Sequence, residues 1–306
     1  MTAATPTPRK PGRPRRPLSH QQLGDLLEAT YRQHNTAAFR NSDPIRLPWQ
    51  YAATTQTCEM VAFLTAMFAY GRRELIIQAV SGLLTCFGED PAAFIANYDD
   101  SRDYRHLKQT VYRFYKTEDI RFLLSRMQVA YARYGSLQNL WAGLAAMPEH
   151  PTFRQRAAAF MDALLGEGAA NHLKRNGSKF MFPHPGRGSA CKRLNMFFRW
   201  MARTDNVDLG LWGGTLSPAD LVMPLDTHVM RMNGLLRLTS RQTPDWQTAE
   251  AMAARLKSFN PTDPLRYDIA LMGLGLSGLK TPSDLRAAHF KCLQDGRGLS
   301  PLLAVE

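Results

Sequence analysis

The sequence predicts an all-α protein, and three observations carry that expectation. Apolar residues recur at three- and four-residue spacing along most of the chain, β-branched alternation is scarce, and Gly and Pro punctuate the periodic runs. In order, the spacing predicts helices over Leu18–His34, Cys58–Tyr70 (stopped by Gly71), Arg73–Phe87 (stopped by Gly88) and Asp119–Tyr134 (stopped by Gly135). Another is expected over Thr152–Leu173, after Pro148 and Pro151. The stretch Asn176–Ser189 is richest in Gly and Pro and reads as a hinge or hairpin. With Ser189 as N-cap, a helix then runs to about Arg203, its apolar stripe formed by Ala190, Leu194, Phe197, Phe198 and Met201. Gly210–Gly214 makes a second loop, Asp226 heads the next run, and Trp246–Phe259 lies between Pro244 and Pro261. The expected architecture is a helical domain over 18–306 with a cleft near these loops, centred functionally on about 176–236.

With 306 residues and 44% hydrophobic content, the chain can bury a substantial core. A net charge of +12 favours a polyanionic partner, nucleic acid before a membrane surface; the plain alternative is a basic surface kept for solubility. Cys58, Cys86, Cys191 and Cys292 are scattered without metal-ligand spacing, so they read as thiols in a reducing compartment, with no metal site expected. No apolar run approaches the roughly 18 residues that a membrane-spanning helix needs. Residues 1–17 hold Pro, Thr and Arg with little to bury, the composition of a disordered tail. Within it, Pro11-Gly12-Arg13-Pro14-Arg15-Arg16-Pro17 resembles an AT-hook. Arg13 and Arg15 would then enter a narrow minor groove, or else the tail is a generic electrostatic arm.

Two residues stand out for chemistry. Lys192 falls in the first turn of the helix after Pro185-Gly186-Arg187-Gly188-Ser189, and Asp226 heads Pro224-Leu225-Asp226-Thr227-His228-Val229. Lys192 and Arg199 project away from the apolar stripe, so neither reads as core. A helix N-terminus disfavours an ammonium, and burial in a cleft would act in the same direction, leaving a nucleophilic amine. On an open face, Lys192 would be an ordinary solvated lysine. Asp226 is by position a helix cap, and a carboxylate there can also stabilise developing positive charge or take a proton. The amides of Gly186, Gly188 and Ser189 form a candidate phosphate cradle to which Arg187 adds charge, the alternative being a plain tight turn.

Gly186–Met201 and Asp208-Leu209-Gly210-Leu211-Trp212, together with Glu59–Arg73, Pro224–Arg231 and Asp263–Gly275, resemble an uncharacterised bacterial family. That family is distantly related to the helix-hairpin-helix DNA glycosylases. The resemblance implies a two-lobed helical fold with a cleft between the lobes. In that superfamily the hairpin is followed by a lysine in bifunctional members, then by an essential aspartate, and Lys192 and Asp226 match those positions. Their separation of 34 residues is closer to the archaeal oxoguanine DNA glycosylases than to endonuclease III-like enzymes. The implied activity is excision of an oxidised purine such as 8-oxoguanine, with AP lyase chemistry through a lysine Schiff base. Pro183–Gly188 departs from the usual Leu-Pro-Gly-Val-Gly hairpin, and only Cys292 lies where endonuclease III has four cysteines, so no iron–sulfur or other cofactor is implied.

By the same resemblance, the end of the Cys58–Tyr70 helix approaches DNA. Met67 or Tyr70 is then a candidate wedge, and Arg72 and Arg73 are candidate phosphate contacts. A flipped base needs aromatic walls, for which Phe180, Phe182, Trp200 and Trp212 are candidates, although core packing is the first reading of each. Gly273-Leu274-Gly275-Leu276-Ser277-Gly278 has dinucleotide-loop spacing without the preceding strand, and is set aside. His184 and His228 lack ligand partners and read as capping or pocket residues. The expected protein is a monomeric, cytoplasmic, nucleoid-associated glycosylase acting on double-stranded DNA with a damaged or modified base. The alternatives are action on another modified base and a DNA-binding protein without chemistry.

Overall fold

Short polar residues start many of the helices in a computed structural model that describes residues 17–107 and 111–295. Ser19 caps α1 (His20–His34) and Thr36 caps α2 (Ala37–Ser42), each side chain accepting a first-turn N–H. Next come α3 (Arg46–Trp49), α4 (Thr55–Phe68), α5 (Arg73–Phe87), α6 (Pro91–Ala96), capped by Asp90, and α7 (Asp100–Leu107). They are followed by α8 (Thr117–Tyr134), α9 (Leu137–Ala145), capped by Ser136, and α10 (Phe153–Leu165), capped by Thr152. α11 (Ala169–His172) and α12 (Asn176–Met181) lead through a 3-10 turn at Pro185–Arg187 to α13 (Lys192–Ala202). Asp226 and Asp245 cap α14 (Thr227–Leu236) and α15 (Trp246–Lys257), and α16 (Arg266–Leu276) and α17 (Pro282–Asp295) complete the series.

The protein is all-helical: among the described residues there is no strand, only isolated bridges. No described helix is long and apolar enough to cross a membrane. The AT-hook-like segment with Arg13 and Arg15 lies outside the described residues, which reach only Pro17 of the tail. One expected helix, Thr152–Leu173, is instead two, α10 and α11. Gly166 and Gly168 adopt φ of 65° and 80° between them, a conformation that ends a right-handed helix.

Packing places α4 and α13 at the centre. α4 is buried on nearly every side and packs against α13, α3 and α6, while α1 and α14 both lie on α16. A Cβ on Gly273 would come within 2.7 Å of His34 on α1, and one on Gly275 within 2.9 Å of His228 on α14. The glycine spacing that mimics a dinucleotide loop therefore serves close helix packing.

A buried carboxylate fixes one side of this assembly. Glu59 of α4 accepts the Tyr131 hydroxyl at 2.7 Å, the Trp212 indole N–H at 2.6 Å, and the first-turn N–H groups of Leu137 and Gln138 at 2.8 and 3.0 Å. It thus caps α9 from another helix and ties α4, α8, α9 and the 210–214 loop together. Hydrogen bonds to a charged group contribute about 1.5–3 kcal/mol each, so Glu59→Ala is expected to destabilise the fold by at least about 3 kcal/mol. Urea denaturation at neutral pH measures this; a loss below about 1 kcal/mol would show that the four bonds are dispensable.

Candidate functional site

α13 carries the site. Lys192, Asn195, Arg199 and the C-cap Arg203 recur every three or four positions, which places them along one side of the helix. That side is not outside the core, as the apolar stripe suggests. Arg199 and Arg203 are only 4% and 1% exposed. Carboxylates make this burial tolerable. Arg199 pairs with Asp268 of α16 and, at 3.1 Å, with Asp208; Arg203 pairs with Asp208, with Asp205 at 2.8 Å and with Asp263 at 2.7 Å. Burial pushes the Asp208 carboxyl up to about 6 even between two arginines.

The helix begins two residues later than the Ser189 cap predicts. Cys191 is the N-cap, held left-handed at φ 45° and ψ 40°, a conformation costing an L-residue about 1–2 kcal/mol. Ser189 Oγ instead accepts the Cys191 N–H at 3.3 Å, and the neighbouring Gly188 carbonyl accepts the Trp246 N–H at 3.1 Å. Lys192 is therefore the first helical residue. Its Nζ donates to the Ala69 carbonyl at 3.1 Å, at the C-terminal end of α4. Burial lowers the Lys192 pKa, Arg193 adds to that, and Asp226, Asp43 and Asp268 oppose it, Asp226 most strongly.

Asp226 caps α14 by accepting the Val229 N–H through Oδ1 at 2.8 Å, and its Oδ2 makes no hydrogen bond among the described residues. The fold thus brings Lys192 and Asp226 into one electrostatic neighbourhood without a direct ion pair. Lys192 stands on the wall of a cleft of about 610 Å³ that Asp226 does not line. Tyr70, Phe180 and Phe182 provide aromatic wall, Lys179, Arg187 and Arg193 provide charge, and among the described residues no carboxylate lines it. Arg193 escaped the sequence reading. Its guanidinium donates to the Tyr115 hydroxyl and the Phe180 carbonyl and lies 4.2 Å from the Phe180 ring centroid and 5.4 Å from that of Tyr70. The one signal in the sequence was a second cation beside Lys192 at a helix start, which needs π-faces or carbonyls to hold it.

The other expected residues divide. The Gly186 N–H is taken by His184 Nδ1 and the Gly188 N–H by the Pro185 carbonyl, both at 3.0 Å, so these two amides of the proposed cradle are engaged within the turn. Arg187 is exposed at the cleft. His184 caps the turn, and its Nε2 hydrogen-bonds Asp162 at 3.1 Å. Among the described residues no group of three or more His, Cys, Asp or Glu is placed to hold a metal. Trp200, Trp212 and Met67 are core residues at 1%, 0% and 1% exposure, because their helices and loop are enclosed. None is a pocket wall or wedge. Tyr70 and Phe182 remain at the cleft. Arg72 is exposed, whereas Arg73 is partly committed to Asp43 at 3.7 Å and the Met272 sulfur at 3.0 Å.

An all-helical protein with a partly buried lysine on a cationic, aromatic cleft is the class that fold and site define. Residues 43–277, well over half of the chain, match the family described as protein of unknown function (DUF2400), and the chain belongs to that family. No curated protein and no solved structure matches it.

Because burial dominates at Lys192, its ammonium is expected to titrate below the ordinary lysine value of 10.5, read from its ¹³C-methyl NMR signal after reductive methylation. The folded state then holds this proton less tightly than the unfolded chain. The resulting cost is present at neutral pH and is relieved as pH rises from the folded pKa towards 10.5. Lys192→Met is accordingly expected to leave the Tm at pH 7 unchanged or higher, and a marked fall would show that the bond to Ala69 outweighs burial.

Proposed function

We propose that the protein is a DNA base-excision glycosylase with AP lyase activity, in which Lys192 is the nucleophile and Asp226 the assisting carboxylate. The observation that carries this reading is Lys192 itself, an amine whose charged form is disfavoured by burial, on a cleft with cations and rings but, among the described residues, no carboxylate in its wall. The neutral amine attacks C1′ of the deoxyribose as the C1′–N glycosidic bond breaks, and the base leaves with the bonding pair and acquires a proton. Asp226, which does not line the cleft, acts through the field it shares with Lys192 and favours the positive charge developing at C1′ and the ring oxygen. Loss of a proton from Nζ and ring opening give the Schiff base, from which removal of a C2′ proton expels the 3′ phosphate by β-elimination.

The helix–turn–helix order α12, Pro185–Arg187, α13 supports kinship with the helix-hairpin-helix glycosylases. So does the grouping of α1, α14 and α16, apart from α6, α8, α9 and α10, as two lobes. The charge of +12 and the exposed Arg72, Lys179 and Arg187 suit double-stranded DNA as partner. The wider motif spacing, like that of the archaeal oxoguanine enzymes, favours an oxidised purine such as 8-oxoguanine. One observation favours a second reading: the Lys192 bond to Ala69 is what a lysine capping α4 would make in a DNA-binding protein without chemistry.

Borohydride trapping on duplexes containing 8-oxoguanine or an abasic site separates the two. A covalent adduct is expected for the wild type and not for Lys192→Gln, with duplex binding retained by both. Absence of an adduct from the wild type on either duplex would remove the Schiff-base mechanism. Asp226→Asn preserves a capping oxygen, so it is expected to change stability by less than about 0.5 kcal/mol. Its single-turnover excision should nevertheless fall by about 10²–10⁴-fold; wild-type rates would relegate Asp226 to a cap.

A further inference from the structure

At the edge of the Lys192 cleft stands an exposed aromatic ring that the chemistry above does not use. Tyr112 and Tyr115 exchange backbone hydrogen bonds of 3.1 and 2.8 Å, closing a two-residue turn with Arg113, at φ 53°, and Phe114 at its tip. The turn is held from below and from the side. The Tyr115 hydroxyl donates to the Met67 carbonyl at 2.7 Å. The Tyr70 hydroxyl donates to the Tyr112 carbonyl at 2.9 Å and accepts the Phe114 N–H at 3.2 Å. α12 approaches so closely that a Cβ on Gly177 would lie 2.7 Å from the Phe114 carbonyl. Phe114 itself remains 59% exposed. Its ring lies parallel to Tyr70 at 6.1 Å and edge-on to Phe180 at 5.4 Å, and both of those rings line the cleft.

We infer that Phe114 enters the base stack of duplex DNA when a nucleotide is turned into the Lys192 cleft, with Arg113 meeting the phosphates beside it. This rests on the reading of the cleft as a nucleotide site. Turning a base out of a duplex leaves a gap and loses stacking, and an apolar side chain placed in the gap recovers part of that loss. Such a residue has to be exposed, rigidly mounted and adjacent to the pocket that receives the base. Met67 is buried, and the Tyr70 hydroxyl is bonded to the turn, whereas Phe114 meets all three conditions. Arg113 is exposed beside it, its guanidinium 5.5 Å from the Tyr70 ring centroid.

The test uses the full chain and a duplex carrying 2-aminopurine opposite a tetrahydrofuran abasic analogue, so that fluorescence reports unstacking without any chemistry. Wild type is expected to raise the fluorescence severalfold, Phe114→Ala to abolish most of the rise, and Phe114→Leu to restore part of it. The preference of Phe114→Ala for abasic over intact duplex is expected to fall about tenfold, in line with loss of one stacking contact. Affinity for intact duplex should not change. A wild-type response in Phe114→Ala, or no response in the wild type, overturns the inference. Borohydride trapping reports separately on Lys192: a lost adduct with a Phe114-dependent fluorescence rise removes the lysine chemistry alone, and the converse removes the inserted ring alone.

Discussion

The buried charge seam along α13 is the constraint on which the rest of the site depends. Two guanidinium groups lie inside the protein, each held by more than one carboxylate, and the acids come from α16, from the loop before it and from the chain just beyond α13. A buried ion pair adds little net stability, because desolvation offsets most of the attraction, yet it strongly disfavours any arrangement that parts the charges. Planar guanidinium groups gripped in this way fix the rotation of α13 about its axis. Lys192 lies two turns from Arg199 on the same side, so the seam also decides where the amine points. It sets the local field as well, since Asp268 both pairs with Arg199 and favours the Lys192 ammonium.

The seam is balanced against pH. Burial raises the Asp208 carboxyl to about 6, so its own titration favours the fold below the ordinary value of 3.8, an advantage lost as pH rises through about 6. Asp205 runs the other way. Burial opposes its ionisation, but Arg203 and the N–H groups of Asp208 and Val207 prevail and lower its pKa. Its contribution is present above 3.8 and is lost as pH falls through the lowered value. The two carboxylates therefore act in successive windows: as pH falls, Asp208 favours the fold between about 6 and 3.8, and Asp205 disfavours it only below 3.8. Asp205 also accepts the Tyr31 hydroxyl at 3.1 Å, which carries the same network to α1.

How much of this was legible in the sequence follows from the range over which each force acts. α5 occupies the very run Arg73–Phe87 that periodicity marks, and Asp226 caps α14 as its position implies, because both are decided within a few residues. The break at Gly166 and Gly168 was legible in principle, since each glycine permits a positive φ, but an apolar repeat continues across it. Arg199 looked solvent-facing because one of the two carboxylates that neutralise it, Asp268, is 69 residues away. Trp200 and Trp212, read first as core, stayed candidate ligand walls for a similar reason: nothing local tells an aromatic that closes a core from one that lines a pocket. Arg193 could be placed only with Tyr70, Tyr115 and Phe180 around it.

The first turn of α13 concentrates three unfavourable features at one point. Cys191 is held left-handed, Lys192 is partly desolvated, and Arg193 places a buried cation beside it. Each costs stability, and none is required by the helix, which would start readily from a serine in an extended conformation. Strain of this kind persists only where the surroundings over-determine it, here the Gly188–Trp246 bond on one side and the charge seam on the other. Lys192 is moreover suspended between opposed helix ends, the positive N-terminus of its own helix and the carbonyl end of α4. The carbonyl holds the amine in place while burial and the N-terminal dipole work against its proton. The nucleophile proposed above has both to lose its proton and to exchange this hydrogen bond for an electrophile, and burial favours the first of these.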